Sequence, residues 1–148
     1  MSAASTRQFR SDLATELSTA SRKMRTLFDG MVRERGLTLS RARALRYLSQ
    51  RSPVNQTELA AVLEIEGSTM VRLLDGLEEQ GLVERNAVDG DRRAKQVTLT
   101  AAAAEQLEEL DAIIGVLHEA MFQGLEEGEL EASVALLRRI SRNIDNHA

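Results

Sequence analysis

Three groups of side chains in this sequence have the types and spacing to do recognition chemistry. Ser68, Thr69 and Arg72 stand three and four residues apart, the spacing that gathers side chains on one face of a helix. Arg92, Arg93 and Lys95 share a polar stretch with Asp89 and Asp91, a local balance of +1. Arg41, Arg43 and Arg46 fall close together further upstream. A guanidinium can grip guanine O6 and N7 through two hydrogen bonds, and a hydroxyl can contact a phosphate or a base edge. A basic loop can place an arginine in a narrow, electronegative minor groove. The common chemistry is the reading of a polyanion.

Other chemistries find little support. Carboxylates are plentiful, but no His or Cys stands beside them and no Gly-rich phosphate loop occurs, so no enzyme is expected. The chain has no cysteine, which removes disulfides, thiolate metal sites and thiol redox sensing. Its histidines are His118 and His147, too few for a multi-histidine centre. No cofactor or metal is expected. No apolar run approaches the roughly 20 residues that cross a bilayer, and the N-terminal stretch lacks a secretory h-region. A cytoplasmic protein without membrane contact is expected.

The elements that must hold these groups can be read from apolar spacing. A long helix is expected over about residues 7–35, with a heptad-like seam of Leu13, Leu17, Ala20, Met24, Leu27 and Met31 widened by Phe9, Phe28 and Val32. At about 42 Å it exceeds what a small domain can bury, so part of the seam should meet another chain. A second helix over about 40–50 turns Ala42, Leu45 and Leu48 inward and carries the basic face Arg41, Arg43 and Arg46, read as phosphate contacts. Asn55 can cap a third helix to Leu63, with Glu58 completing a capping box. A tight turn at 64–66 leads to a fourth helix over about 67–80, with Val71, Leu74 and Leu77 toward the core. Ser68, Thr69 and Arg72 then occupy its first turns, while Asp75, Glu78 and Glu79 should tilt its far half away from phosphate. A solvated face, or a local Arg72–Asp75 pair, is the plainer reading of that face.

Val83–Asn86 and Gln96–Thr100 read as the strands of a hairpin, a wing, joined by a long loop over 87–95 that holds Arg92, Arg93 and Lys95. Asp91 can hold a neighbouring arginine and order that loop. Thr100 can cap a helix over about 101–123 with the stripe Leu107, Leu110, Ile114, Leu117 and Met121. Gly124 separates it from a last helix bearing Leu130, Val134, Leu137, Ile140 and Ile144. The pattern is mainly α (α+β): a winged helix-turn-helix lobe over 37–100, flanked by dimerisation helices over 1–36 and 101–148, in one intertwined domain.

Net charge is −4, which does not suit a nucleic-acid binder, but its distribution is uneven. Residues 1–52 carry 11 basic and 4 acidic side chains, whereas 101–148 carry 3 and 10. Such asymmetry fits one side turned to a polyanion and one solvated side. The acidic balance also leaves a second reading open, a winged-helix module that binds protein rather than DNA.

The wing carries a family resemblance. Asp91-Arg92-Arg93, then five residues, then Leu99-Thr100 matches the D-x-R-x5-L-T signature of the MarR family of bacterial transcription regulators. Leu59-Ala60, Ile65, Val71-Arg72, Leu77-Glu78 and Gly81-Leu82-Val83-Glu84-Arg85 also follow that pattern, and the stretch looks closest to the SlyA branch. The resemblance implies a homodimer with interlocked terminal helices, acting as a ligand-responsive repressor on double-stranded DNA. Recognition helices would enter successive major grooves of a pseudo-palindromic operator, with wings in the flanking minor grooves. By position it makes Arg72 the recognition-helix arginine, Arg92 or Arg93 the wing arginine, and Asp91 the residue that orders the wing. It also implies a small phenolic or aromatic carboxylate ligand bound between the dimerisation helices and the DNA-binding lobe. Two positions depart from the branch: Ala42 stands where it has a tryptophan, and Glu66-Gly67-Ser68 lacks its proline.

Overall fold

The computed structural model describes residues 2–88 and 90–148, with the side chains of 91–94 outside the described set. The chain divides into two compact units, Met1–Leu117 and His118–Ala148. The first begins with α1 (Ala3–Arg33), 31 residues long, about 46 Å at the α-helical rise. This helix buries only Phe28 and Val32. Leu13, Leu17, Met24 and Leu27 of the expected seam are exposed, so within one chain α1 turns its core side, rather than its seam, inward. Gly36 then adopts φ +74°, a left-handed conformation that costs glycine nothing. It sends the buried Leu37 back so that its amide reaches the Val32 carbonyl at 3.0 Å.

Thr38 starts α2 (Leu39–Gln50) by accepting a hydrogen bond from the Arg41 amide. Ala42, Ala44, Leu45 and Leu48 are buried. A two-residue strand β1 (Val54–Asn55), too short to leave a pattern in the sequence, precedes α3 (Gln56–Leu63). Asn55 caps α3 by accepting from the Thr57 amide at 2.8 Å. The expected capping box is not made: Asn55 takes the Thr57 amide rather than that of Glu58, and the Glu58 carboxylate accepts from the Tyr47 hydroxyl at 2.9 Å. That bond links α2 to α3.

Glu64 ends α3 in the left-handed region at φ 55°, and α4 (Gly67–Glu79) follows. Its buried residues are Met70, Leu74 and Leu77. Val71, expected in the core, is 40% exposed. Both 70-74-77 and 71-74-77 are legitimate helical stripes; the flexible methionine fills the inner position and the valine is left outside. Gly81, at φ +75°, ends the helix and leads into the wing.

The wing is longer than its alternation suggests. Strands β2 (Val83–Val88) and β3 (Asp91–Leu99) pair antiparallel from Val83↔Leu99 to Ala87↔Lys95, with a register shift beyond Ala87. Part of the stretch expected to be loop is therefore strand. On its other side β3 pairs with β1 through Val54↔Val97 and Asn55↔Gln96, giving the sheet order β1-β3-β2. Thr100 does not cap the following helix with its side chain; its hydroxyl donates to the Gly81 carbonyl at 2.5 Å. This closes the base of the wing onto the end of α4. A 3-10 turn (Ala101–Ala103) then opens into α5 (Ala104–Met121), which buries Leu110, Ile113, Ile114 and Leu117.

Leu45, Leu48, Leu59, Met70, Leu74, Leu77, Val83 and Val97 are among the most deeply buried side chains. They bring α2, α3, α4 and the wing strands around one core, and it is this core that fixes the direction of α4. The second unit holds the end of α5 and α6 (Glu127–Asp145). Glu126 and Glu129 cap α6 reciprocally. No residue of α6 is buried, and Val134, Leu136, Leu137 and Ile144 stand exposed.

Candidate nucleic-acid interface

The N-terminal half of α4 is the most exposed part of the three-helix core. Ser68, Thr69 and Arg72 are all exposed, as is Val71 between them. The first turn contains no acidic residue, and the side chain of the N-cap residue Glu66 makes no capping hydrogen bond. The first amides of α4 therefore remain without a side-chain acceptor, in the orientation that favours anions.

The acidic far half of α4 is held by the wing. Arg85 of β2 places Nη2 2.6 Å from Asp75 Oδ1 and Nε 3.1 Å from Glu78 Oε2. The Arg85 side chain is only 16% exposed, so the clamp is partly desolvated and the pairing correspondingly less screened. The hydrogen bond from Arg85 lowers the Glu78 pKa, and the same bond is the largest cause raising that of Arg85. Lys95, exposed on β3, adds a smaller favourable field at Glu78. Two of the three carboxylates expected to repel phosphate are thus already countered. Asp75 pairs with Arg85 rather than with Arg72.

Arg85 is a residue whose role the sequence did not disclose. Its signal was there in retrospect: Asp75 and Glu78 lie three apart on one helical face, and Arg85 is the first cation after the helix. Asp91, Arg92 and Arg93 belong to the first residues of β3, but their side chains lie outside the described residues.

The three arginines of α2 go to different places. Arg43 is half-buried and directs Nη1 to the Leu63 carbonyl at the end of α3, 3.4 Å away. Burial and the nearby Arg25 lower its pKa, while Glu64 opposes them. Arg41 lies along α4, with Nη2 2.5 Å from where a Cβ on Gly76 would stand. Arg46 is half-buried, and its side chain makes none of the ion pairs among the described residues.

A second feature of the same unit is a groove of about 410 Å³ lined by Ser18, Ser21, Arg22, Arg25, Thr26, Asp29 and Leu39. Arg25 also meets Glu64, the residue that ends α3, at 3.5 Å. Among the described residues no cluster of three or more His, Asp or Glu side chains could hold a metal ion. Among the described residues, too, no helix is long and apolar enough to cross a membrane.

This arrangement of helices and wing has known counterparts. A family model described as MarR family matches residues 35–94. A crystallised transcriptional regulator, PA3341, is 37% identical, with 90% of this chain and 98% of that one covered at a TM-score of 0.81. A MarR-family transcriptional regulator from Silicibacter pomeroyi is 30% identical, with 86% of each chain covered and a TM-score of 0.77. The chain belongs to the MarR family. MarR from E. coli, at 24% identity and TM-score 0.74 over 86% of this chain, shares the fold. The MarR family is one of transcriptional regulators, not of enzymes. The matched segment runs from just past α1 into β3 and so contains the whole of α4 and the Arg85 clamp.

Proposed function

We propose that this MarR-family chain is a homodimeric, ligand-responsive repressor that binds a pseudo-palindromic operator in duplex DNA. The observation that carries the reading is the exposed N-terminal face of α4, where Ser68, Thr69 and Arg72 stand clear while Arg85 draws Asp75 and Glu78 aside. On this reading Ser68, Thr69 and Arg72 enter the major groove. Arg92, Arg93 and Lys95 serve the minor groove, and Asp91 orders the wing. Arg41, Arg43 and Arg46 divide between phosphate contact and support of the lobe. The sequence of the α4–wing stretch favours the SlyA branch.

The exposed apolar stripes of α1 and α6 are what a second copy of the chain would cover, in keeping with residues 1–36 and 101–148 as dimerisation segments. A dimer reads two half-sites only if its recognition helices lie about 34–36 Å apart. The groove carrying Arg22 and Arg25 suits a small aromatic or phenolic carboxylate. An anion drawn to Arg25 would compete with Glu64 at the end of α3, and a change of helix spacing would release the operator. Repression would be steric, the bound dimer keeping polymerase from the promoter.

The wing is the deciding test. Replacing Arg92→Ala and Arg93→Ala together removes four cations per dimer and should weaken operator binding at least a hundredfold near physiological salt, an order of magnitude set by the loss of phosphate and groove contacts. Unchanged affinity in a gel-shift titration would overturn the wing assignment. Absence of any DNA binding at low salt would leave the protein-binding module as the reading.

A further inference from the structure

Val71 is the large apolar side chain that α4 leaves exposed, at 40%, among otherwise polar or glycine neighbours on its outer side. It lies three residues from Ser68 and next to Arg72, on the strip of the helix that opens outward. Nothing in the core holds it there, since Met70 occupies the inner position. A β-branched residue is also a poor choice for an exposed helical position on local grounds, because it loses χ1 freedom there. The strip from Ser68 to Asp75 is therefore a hydroxyl, a branched apolar group and a guanidinium, closed at its far end by a carboxylate that Arg85 holds.

The major groove presents hydrogen-bonding atoms at every base pair and one apolar group, the C5-methyl of thymine. A valine facing any other base edge leaves that edge's donor or acceptor without water and without a partner, which is unfavourable. Facing a thymine methyl, it buries apolar surface on both sides. We propose that Val71 is a specificity-determining residue that reads a thymine C5-methyl group in each half-site, beside the base contacted by Arg72. The inference rests on the proposed insertion of α4 into the major groove and adds to it the identity of one base.

The test begins with a duplex selected from a random-sequence pool by the full-length wild-type protein. That duplex is then resynthesised with deoxyuridine in place of thymidine, one position at a time, which removes a methyl group and leaves every hydrogen-bonding atom. For wild type, one thymine per half-site should show about a three- to fivefold loss of affinity on this exchange, the worth of one buried methyl. In Val71→Ala, shown to be folded by cooperative unfolding, the same exchange should cost nothing further. Val71→Thr, which keeps the shape and exchanges one methyl for a hydroxyl, should show a reduced effect at the same position. If uridine costs wild type and Val71→Ala equally at every position, or costs neither, the assignment of Val71 is overturned while DNA binding stands. If no duplex is enriched over random DNA at low salt, major-groove insertion itself fails, and the role of Val71 with it.

Discussion

Arg43 and Arg46 of α2 should separate in one experiment, the salt dependence of DNA binding. Each phosphate neutralised by the protein contributes about 0.9 to the negative slope of log K against log salt. Arg46, whose side chain makes no ion pair among the described residues, is the phosphate contact on the proposed reading. In a homodimer Arg46→Ala removes two such contacts, so the slope should fall by about 1.8. Between 50 and 200 mM salt, a fourfold change, the ratio of wild-type to variant affinity should shrink about twelvefold.

Arg43→Ala should behave differently, because that guanidinium is directed to the Leu63 carbonyl at 3.4 Å. The bond is at the long end of the range, so its loss should cost about 1 kcal/mol of stability. The salt slope should not change. The assay is fluorescence anisotropy with one labelled duplex across five salt concentrations, beside urea unfolding of the same proteins. A drop in slope for Arg43→Ala as large as that for Arg46→Ala would refute the division. It would mean that Arg43 leaves the end of α3 and reaches phosphate in the complex.

Arg72→Ala should lose about 1–3 kcal/mol of discrimination between a selected duplex and random DNA; equal losses on both would make Arg72 a phosphate contact. The pH dependence of stability should show the Arg85 clamp. Glu78 has a folded pKa below its ordinary value of 4.5, so its contribution is fully present above that value and is lost as pH falls through the lower, folded one. Arg85→Gln should flatten the urea midpoint against pH below about pH 5 relative to wild type, and parallel curves would refute the clamp.

The helices of the lobe were legible in the sequence because each has an apolar stripe bounded by a capping side chain or a helix-ending glycine. Asn55, Gly36 and Gly81 mark their ends as written. What could not be read follows from angle and length. A stripe of 70-74-77 and one of 71-74-77 differ by one residue, and sequence spacing cannot say whether a methionine or a valine turns inward. A strand of two residues, such as Val54–Asn55, is shorter than one period of alternation. Arg41, Arg43 and Arg46 were grouped by type and proximity, although positions two apart point to nearly opposite sides of a helix. The face Ser68, Thr69 and Arg72 was legible because it depends only on helical spacing. The Arg85 clamp needed the wing to fold back along α4, which the spacing of Asp75, Glu78 and Arg85 permits but does not dictate.

Asn55 does two jobs at once. Its side chain starts α3 and its backbone is paired with Gln96 of the wing strand, while Ser52 just upstream accepts from the Leu99 amide at 3.3 Å. With Thr100 fastened to Gly81 at the other end, the helical finger and the β finger of the lobe are cast as a single gauge rather than two digits on a hinge. Such a gauge has one calibrated opening. Inserting a single base pair between the steps read by α4 and those read by the wing would turn them about 34–36° apart around the duplex. If the proposed dimer reads DNA with both fingers, these ties set the length of each half-site, and tolerance for variable spacing resides between the two copies.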